Sequence, residues 1–175
     1  MRKLLLAIAV VFSAGSLMAQ MKIGHVNSQA ILDTMPSRDK AEKMLSDFEA
    51  EGQKELQEMQ VDLQTAYQNY EAKVGDMTPV MRQIEEKKIM DKEQRLQKRN
   101  QDFQMELQAY ANELNGPILK RIQDAVSKVA ESKKLNYVID ETVTLYFAGG
   151  IDITDEVIAE VMKEEAKLKS AAGTN

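Results

Sequence analysis

With one histidine and no cysteine in 175 residues, the chain has few groups that could do covalent or metal chemistry. His25 is the only imidazole. It sits in the run Lys22–Asn27, alternating with Gly24 and Val26, which reads as a strand histidine holding a local hydrogen bond rather than as a general base. No H-E-x-x-H, G-x-S-x-G, P-loop or dinucleotide fingerprint occurs. Gly149-Gly150 is followed by no G-K-[ST], so it reads as a turn and not as a phosphate cradle. Glu49, Glu51, Glu55 and Glu58 fall along a polar helical face that water can solvate, which makes them solubilising charge rather than a paired acid and base. No catalytic residue, metal ligand set or cofactor is expected, and the chain reads as a non-enzyme.

The chemistry that remains is binding, and the elements decide which residues are free for it. Breaks fall at Met35-Pro36-Ser37, Gly75-Asp76-Met77-Thr78-Pro79 and Asn115-Gly116-Pro117, with long helices between them. Ser37 suits the first helix start, and Thr78 followed by Pro79 suits the second. The turn at 75–79 joins segments of similar length, an antiparallel helical hairpin over 37–114. Its first arm repeats every eleven residues, as Leu45, Phe48, Gly52; Leu56, Met59, Leu63; Tyr67, Tyr70, Val74. The returning arm carries Ile89, Leu96, Phe103 and Tyr110 at sevens, with Leu107 and Leu114 beside them. Lys40 to Asp76 holds four basic and nine acidic residues, and Arg82 to Arg99 seven basic and four acidic, so antiparallel packing sets opposite charges side by side.

Periodicity is foremost a packing signal, so the stripes are assigned to the hairpin seam. Contact with a binding partner is sought off the stripe, at Val61, Met90 and Met105, and at the turn, where Met77, Val80 and Met81 crowd together. Methionine is flexible and polarizable, and promiscuous binders use it to repack around varied partners.

Outside the hairpin, strands are expected at Lys22–Asn27, Tyr137–Asp140 and Val143–Ala148, with a turn at Glu141-Thr142 and a last helix from Thr154 to about Lys169 whose apolar face is Val157, Ile158, Val161 and Met162. Strands from both ends of the chain pair only if the hairpin is an excursion from one small body of residues 20–36 and 115–170, with a frayed tail at 171–175. A core below about 70 to 80 residues rarely supplies more than about 3 to 5 kcal/mol. Oligomerisation is the remedy, with Ile23, Val26, Val138, Ile139, Leu145 and Phe147 as its residues and the strands at Lys22–Asn27 and Val143–Ala148 as open edges. The fold class is mainly α with a small β body.

Residues 1–19 have the order of a cleaved signal peptide, with Arg2 and Lys3 ahead of the apolar run Leu4–Phe12 and the small-residue stretch Ser13–Ala19. Losing those two basic residues takes the formal charge from −5 to −7, which argues against a generic attraction to nucleic acid.

The segments Lys22-Ile23-Gly24-His25-Val26-Asn27-Ser28-Gln29, Asn136-Tyr137-Val138-Ile139-Asp140 and Asp152-Ile153-Thr154 resemble the ends of the Skp/OmpH family of periplasmic chaperones. The order of parts carries the likeness over nearly the whole mature chain. The resemblance implies a trimer in which strands of three subunits form a central β body and three hairpins stand like tentacles around a cavity for unfolded outer-membrane proteins. Such a holdase would work without ATP, through many weak contacts acting together. Several relatives are strongly basic and this mature chain is acidic, which counts against lipopolysaccharide or anionic-membrane contact; the basic run at 82–99 is its one local candidate. The same elements would also serve a non-catalytic coiled-coil spacer or adaptor of the cell envelope.

Overall fold

Short β-branched runs near the two ends of the chain meet across a sequence separation of 114 residues, where the Lys22 amide donates to Asn136 Oδ1 at 2.9 Å. The computed structural model describes residues 21–172. The expected signal peptide at 1–19 and residues 173–175 of the expected tail lie outside these. The elements in chain order are strand β1 (Ile23–Val26), helix α1 (Ser28–Asp33), helix α2 (Pro36–Lys73), a 3-10 turn (Val74–Asp76), helix α3 (Pro79–Lys133), strand β2 (Tyr137–Asp140), a second 3-10 turn (Glu141–Val143), strand β3 (Ile151–Asp152) and helix α4 (Thr154–Ala172). The chain divides into two units, one comprising 21–35 and 121–172 among the described residues, the other Pro36–Lys120.

In the first unit β1 is the central strand, with order β2-β1-β3 and both pairings parallel. Alternation along the strands sends Val26 into the core and leaves Ile23, Tyr137 and Ile139 exposed. Asn27 then caps α1, its Oδ1 accepting from the Ala30 amide at 2.9 Å. Ile31 and Met35 from this segment, Ile122, Ala125 and Val129 from α3, and Ile153, Val157 and Val161 from the start of α4 make the core. Full burial of each such aliphatic side chain is worth about 1.5 to 3 kcal/mol. On α4, Val157 and Val161 face inward as expected and Ile158 is half-buried, whereas Met162 is exposed. The buried stripe continues instead to Glu165, whose Oε1 lies 3.1 Å from Arg121 Nε.

The expected strand at Val143–Ala148 is absent. With β2 and β3 parallel on opposite sides of β1, the chain must travel back along the sheet between them, and residues 144–150 make that return. Its β-like composition therefore serves a crossover laid against the outer sheet face, where Phe147 stacks on His25 with ring centroids 4.8 Å apart. Gly149 and Gly150, at φ of 91° and 110°, turn it into β3 in a region that residues with a Cβ rarely adopt. Nor is β1 an open edge, since it is paired on both sides.

The second unit is the antiparallel hairpin. Thr78 caps α3, its Oγ1 accepting from the Met81 amide at 3.3 Å, with Pro79 at the first helical position. Helix α2 begins at Pro36, one residue before the expected cap Ser37, because proline's missing N–H costs nothing in a first turn. At 1.5 Å per residue its 38 residues run on the order of 55 Å. The stripes form the seam: Gly52, Ile89 and Phe103 are buried, and Leu45, Phe48, Leu56, Met59, Leu63, Leu96, Leu107 and Tyr110 are half-buried. Tyr67 is the exception; it is exposed, and its hydroxyl donates to Glu93 across the hairpin. Opposite charges do meet, with Lys92 on Asp62 and Arg99 Nη2 2.8 Å from Glu55.

Asn115-Gly116-Pro117 is not a break. Helix α3 passes through it without interruption. Pro117 lacks the N–H that would bond the Glu113 carbonyl, but both residues are exposed, so water can take that carbonyl. Burial of Ile118, Ile122, Ala125 and Val129 on the same helix holds it together.

Candidate functional site

Two surfaces collect the residues singled out for binding, and each lies within one unit. At the hairpin tip, Val80 and Met81 in the first turn of α3 are exposed, and half-buried Met77 joins Tyr70, Met81 and Ile84 in lining a shallow depression with Asn69, Lys73 and Glu85. Tyr70 is fixed there by donating its hydroxyl to Glu86. That bond, and then burial, raise its phenol above the ordinary tyrosine range. Met90 lies beside Ile84, Gln83, Glu86 and Lys87 on the next two turns. Val61 and Met105 are also exposed, at 56% and 64%, but stand apart from the tip; Val61 is ringed by Lys54, Gln57, Glu58 and Asp62. Sequence reasoning missed Ile84, which is 50% exposed. Its spacing of three from Met81 and four from Val80 was the available signal.

The basic run is largely occupied. Lys88 and Lys98 pair within their own helix with Glu85 and Asp102, Lys92 reaches Asp62, and Arg99 bridges Glu55 and Glu106. The hydrogen bonds that Arg99 donates to Glu55 and Glu106 hold its guanidinium well above its usual range, and Arg99 in turn lowers Glu55.

The second surface is the outer face of the sheet and its crossover. Ile23, Tyr137 and Ile139 of the sheet and Val143, Leu145, Tyr146 and Phe147 of the segment after β2 are all exposed, Leu145 completely so. Four of the six residues expected to mediate association, Ile23, Ile139, Leu145 and Phe147, thus share one unit's exposed apolar surface. Val26 does not. At 5% exposure it is spent on the chain's own core, because it follows His25 in the strand alternation and points the other way. Val138 is half-buried behind Gly24. His25 sits at the centre of this face, its Nδ1 2.5 Å from Glu141 Oε1.

No helix among the described residues is long and apolar enough to cross a membrane. The described residues thus combine a helical hairpin and a small three-stranded sheet with two exposed apolar surfaces suited to contact with other chains. The comparisons agree. The family model described as "Outer membrane protein (OmpH-like)" matches residues 22–161. "Chaperone protein Skp" of Photorhabdus luminescens is 34% identical over 165 residues, covering 92% of this chain and 99% of the relative. The protein of that name from Pectobacterium atrosepticum is 32% identical, covering 87% and 92%, and that from Escherichia coli K12 is 30% identical, covering 92% and 99%. A crystal structure of an OmpH-like chain from Caulobacter crescentus superposes with a TM-score of 0.70 at 15% identity, covering 82% of this chain and 85% of that one, which shows a shared fold. The chain belongs to the OmpH-like family.

Proposed function

We propose that the protein is an ATP-independent holdase of the periplasm, exported by the signal peptide at 1–19, that binds unfolded outer-membrane β-barrel proteins and prevents their aggregation. The observation that carries the reading is 34% identity, over nearly the full length of both chains, to a protein named as a chaperone. Clients are held in a cavity between the arms of a homotrimer. Support for association comes from the apolar residues Ile23, Ile139, Leu145 and Phe147, all left exposed in one small unit. Support for client contact comes from Met77, Val80, Met81 and Met90 near the tip, joined by Val61 and Met105 along the arms. A holdase acts by favouring its client's unfolded state, so it needs no energy source beyond binding.

The test measures light scattering of an unfolded β-barrel protein diluted from denaturant with increasing amounts of the purified chain, alongside the assembled mass of the chain in solution. Suppression of scattering for several unrelated barrels, saturating near one client per trimer, is the expected result. Stoichiometric binding of one folded envelope protein without any suppression would instead identify a spacer.

A further inference from the structure

His25, Glu141 and Asp152 come from three separate elements of the sheet unit, and one ligand atom from each lies within 4.8 Å of the others. The first two are 116 residues apart in sequence, so nothing in their spacing announces them. We propose that these three side chains form a site for a divalent transition-metal cation of the zinc type, which clamps both ends of the apolar crossover.

The donor set selects the cation class. One imidazole nitrogen with two carboxylates suits zinc and its neighbours, whereas calcium takes six to eight oxygens and magnesium a nearly ideal octahedron. Bonds of about 2.0 to 2.2 Å at a tetrahedral angle place ligand atoms about 3.4 Å apart. The Nδ1–Oε1 separation of 2.5 Å, closed by a hydrogen bond, must open, and the Asp152 carboxylate must turn inward. Both are side-chain adjustments. On binding, the cation takes the Nδ1 lone pair and the neutral imidazole carries its one hydrogen on Nε2.

The surroundings favour the same geometry. Asp152 Oδ1 accepts from the Thr154 amide at 2.9 Å and from Thr154 Oγ1 at 2.6 Å, which orients the carboxylate without occupying Oδ2. Phe147 packs on one side of the imidazole, and the Gly150 backbone lies close enough that a Cβ there would meet His25 Cδ2 at 3.1 Å. His25 and Glu141 keep 15% and 23% of their side-chain surface exposed, so a cation can enter and retain water at a fourth position. Glu141 precedes residues 144–150 and Asp152 follows them. A cation held by both, and by β1 between them, would tie down a crossover that otherwise ends in a two-residue strand.

The experiment titrates zinc chloride into the untagged, full-length mature protein, against a chromophoric chelator and with the ring signals of the histidine followed by nitrogen-15 NMR. Because His25 is the only histidine, its resonances report without any variant. One equivalent per chain is expected to shift Nδ1 to a metal-bound position and to raise the melting temperature, reversed by EDTA. Glu141→Gln and His25→Gln should each weaken zinc binding by more than about tenfold, the lower bound for loss of a mere orienting partner. Zinc uptake that leaves the His25 signals unmoved, or that both variants retain, would overturn the proposal. Absence of uptake would reduce the triad to an ion pair beside a helix cap. None of these readouts depends on chaperone activity or on the assembled mass.

Discussion

Replacing Gly52 by alanine would set a methyl group 2.0 Å from Phe103 Cε2 and 2.5 Å from Cζ, closer than any real contact. Phe103 is 2% exposed, touches Phe48 at a centroid distance of 5.9 Å and lies under the Arg99 guanidinium, so its ring has nowhere to retreat. Gly52→Ala should therefore destabilise the hairpin by about 1 to 3 kcal/mol, even though alanine is favoured over glycine within a helix by about 1 kcal/mol. Urea melts followed by far-UV circular dichroism would read the loss. Pairing Gly52→Ala with Phe103→Leu should recover part of it, since residues in direct contact couple. A neutral or stabilising Gly52→Ala would mean that the glycine is not holding the register. Gly52 was legible as a stripe position from its eleven-residue spacing. That it receives a particular ring was not, because the partner's position in the returning arm depends on the exact length of the tip.

At the scale of elements, local signals served best where one residue's chemistry decides the backbone. Thr78 with Pro79 marked the start of α3, and Thr154 with Asp155 and Glu156 marked that of α4. They misled where tertiary burial overrides a local preference. Pro117 reads as a stop, yet the helix continues because apolar residues on both sides of it are buried. Val143–Ala148 reads as a strand, yet parallel pairing of β2 and β3 with β1 turns it into a crossover. Helix α1 is six residues long, too short to show a period, and was not expected from the sequence. Pro117→Ala should accordingly stabilise the protein by up to roughly 3 kcal/mol, as it restores a hydrogen bond and removes a ring clash in an existing helix. A thermal melt checks it, and destabilisation would show that the proline is needed for a local bend. The tip is the other element with a separable role. Changing Met77, Met81, Met90 and Met105 to glutamine should weaken client protection at limiting chaperone while shifting stability by no more than about 0.5 kcal/mol per exposed site. Full protection by that variant would move the binding energy to the polar arm faces. Ile84→Gln, added to the set, should deepen the defect.

For the whole molecule, the separation into two units predicts that assembly and client binding can be pulled apart. Joining Pro36 to Arg121 through a short linker, without residues 37–120, should leave an oligomer of unchanged subunit number with no holdase activity. Leu145→Asp combined with Phe147→Asp in the full chain should do the reverse, lowering the assembled mass by placing charge on an apolar surface. Light scattering coupled to size-exclusion chromatography distinguishes these outcomes. A stably folded monomer from the shortened chain would assign assembly to the arms instead. Family and fold class were readable from the order of parts. Ile23, Ile139, Leu145 and Phe147 of the exposed surface were readable too, but the seating of the crossover over His25 was not, since it depends on which side of β1 the chain takes.

The pairing of β1 with β2 also dictates an order of events when the chain first folds. Residues 23–26 leave the ribosome more than a hundred positions ahead of 137–140, and until those arrive the early strand has no partner. The hairpin needs no such delay, because its contacts are all internal to Pro36–Lys120. Once formed, it draws together the ends of the long intervening segment and shortens the loop that β1 and β2 must close. Each halving of a flexible loop lowers the entropic cost of closure by about 0.6 kcal/mol. The arms therefore act first on their own chain, as a splint that brings β2 back to β1.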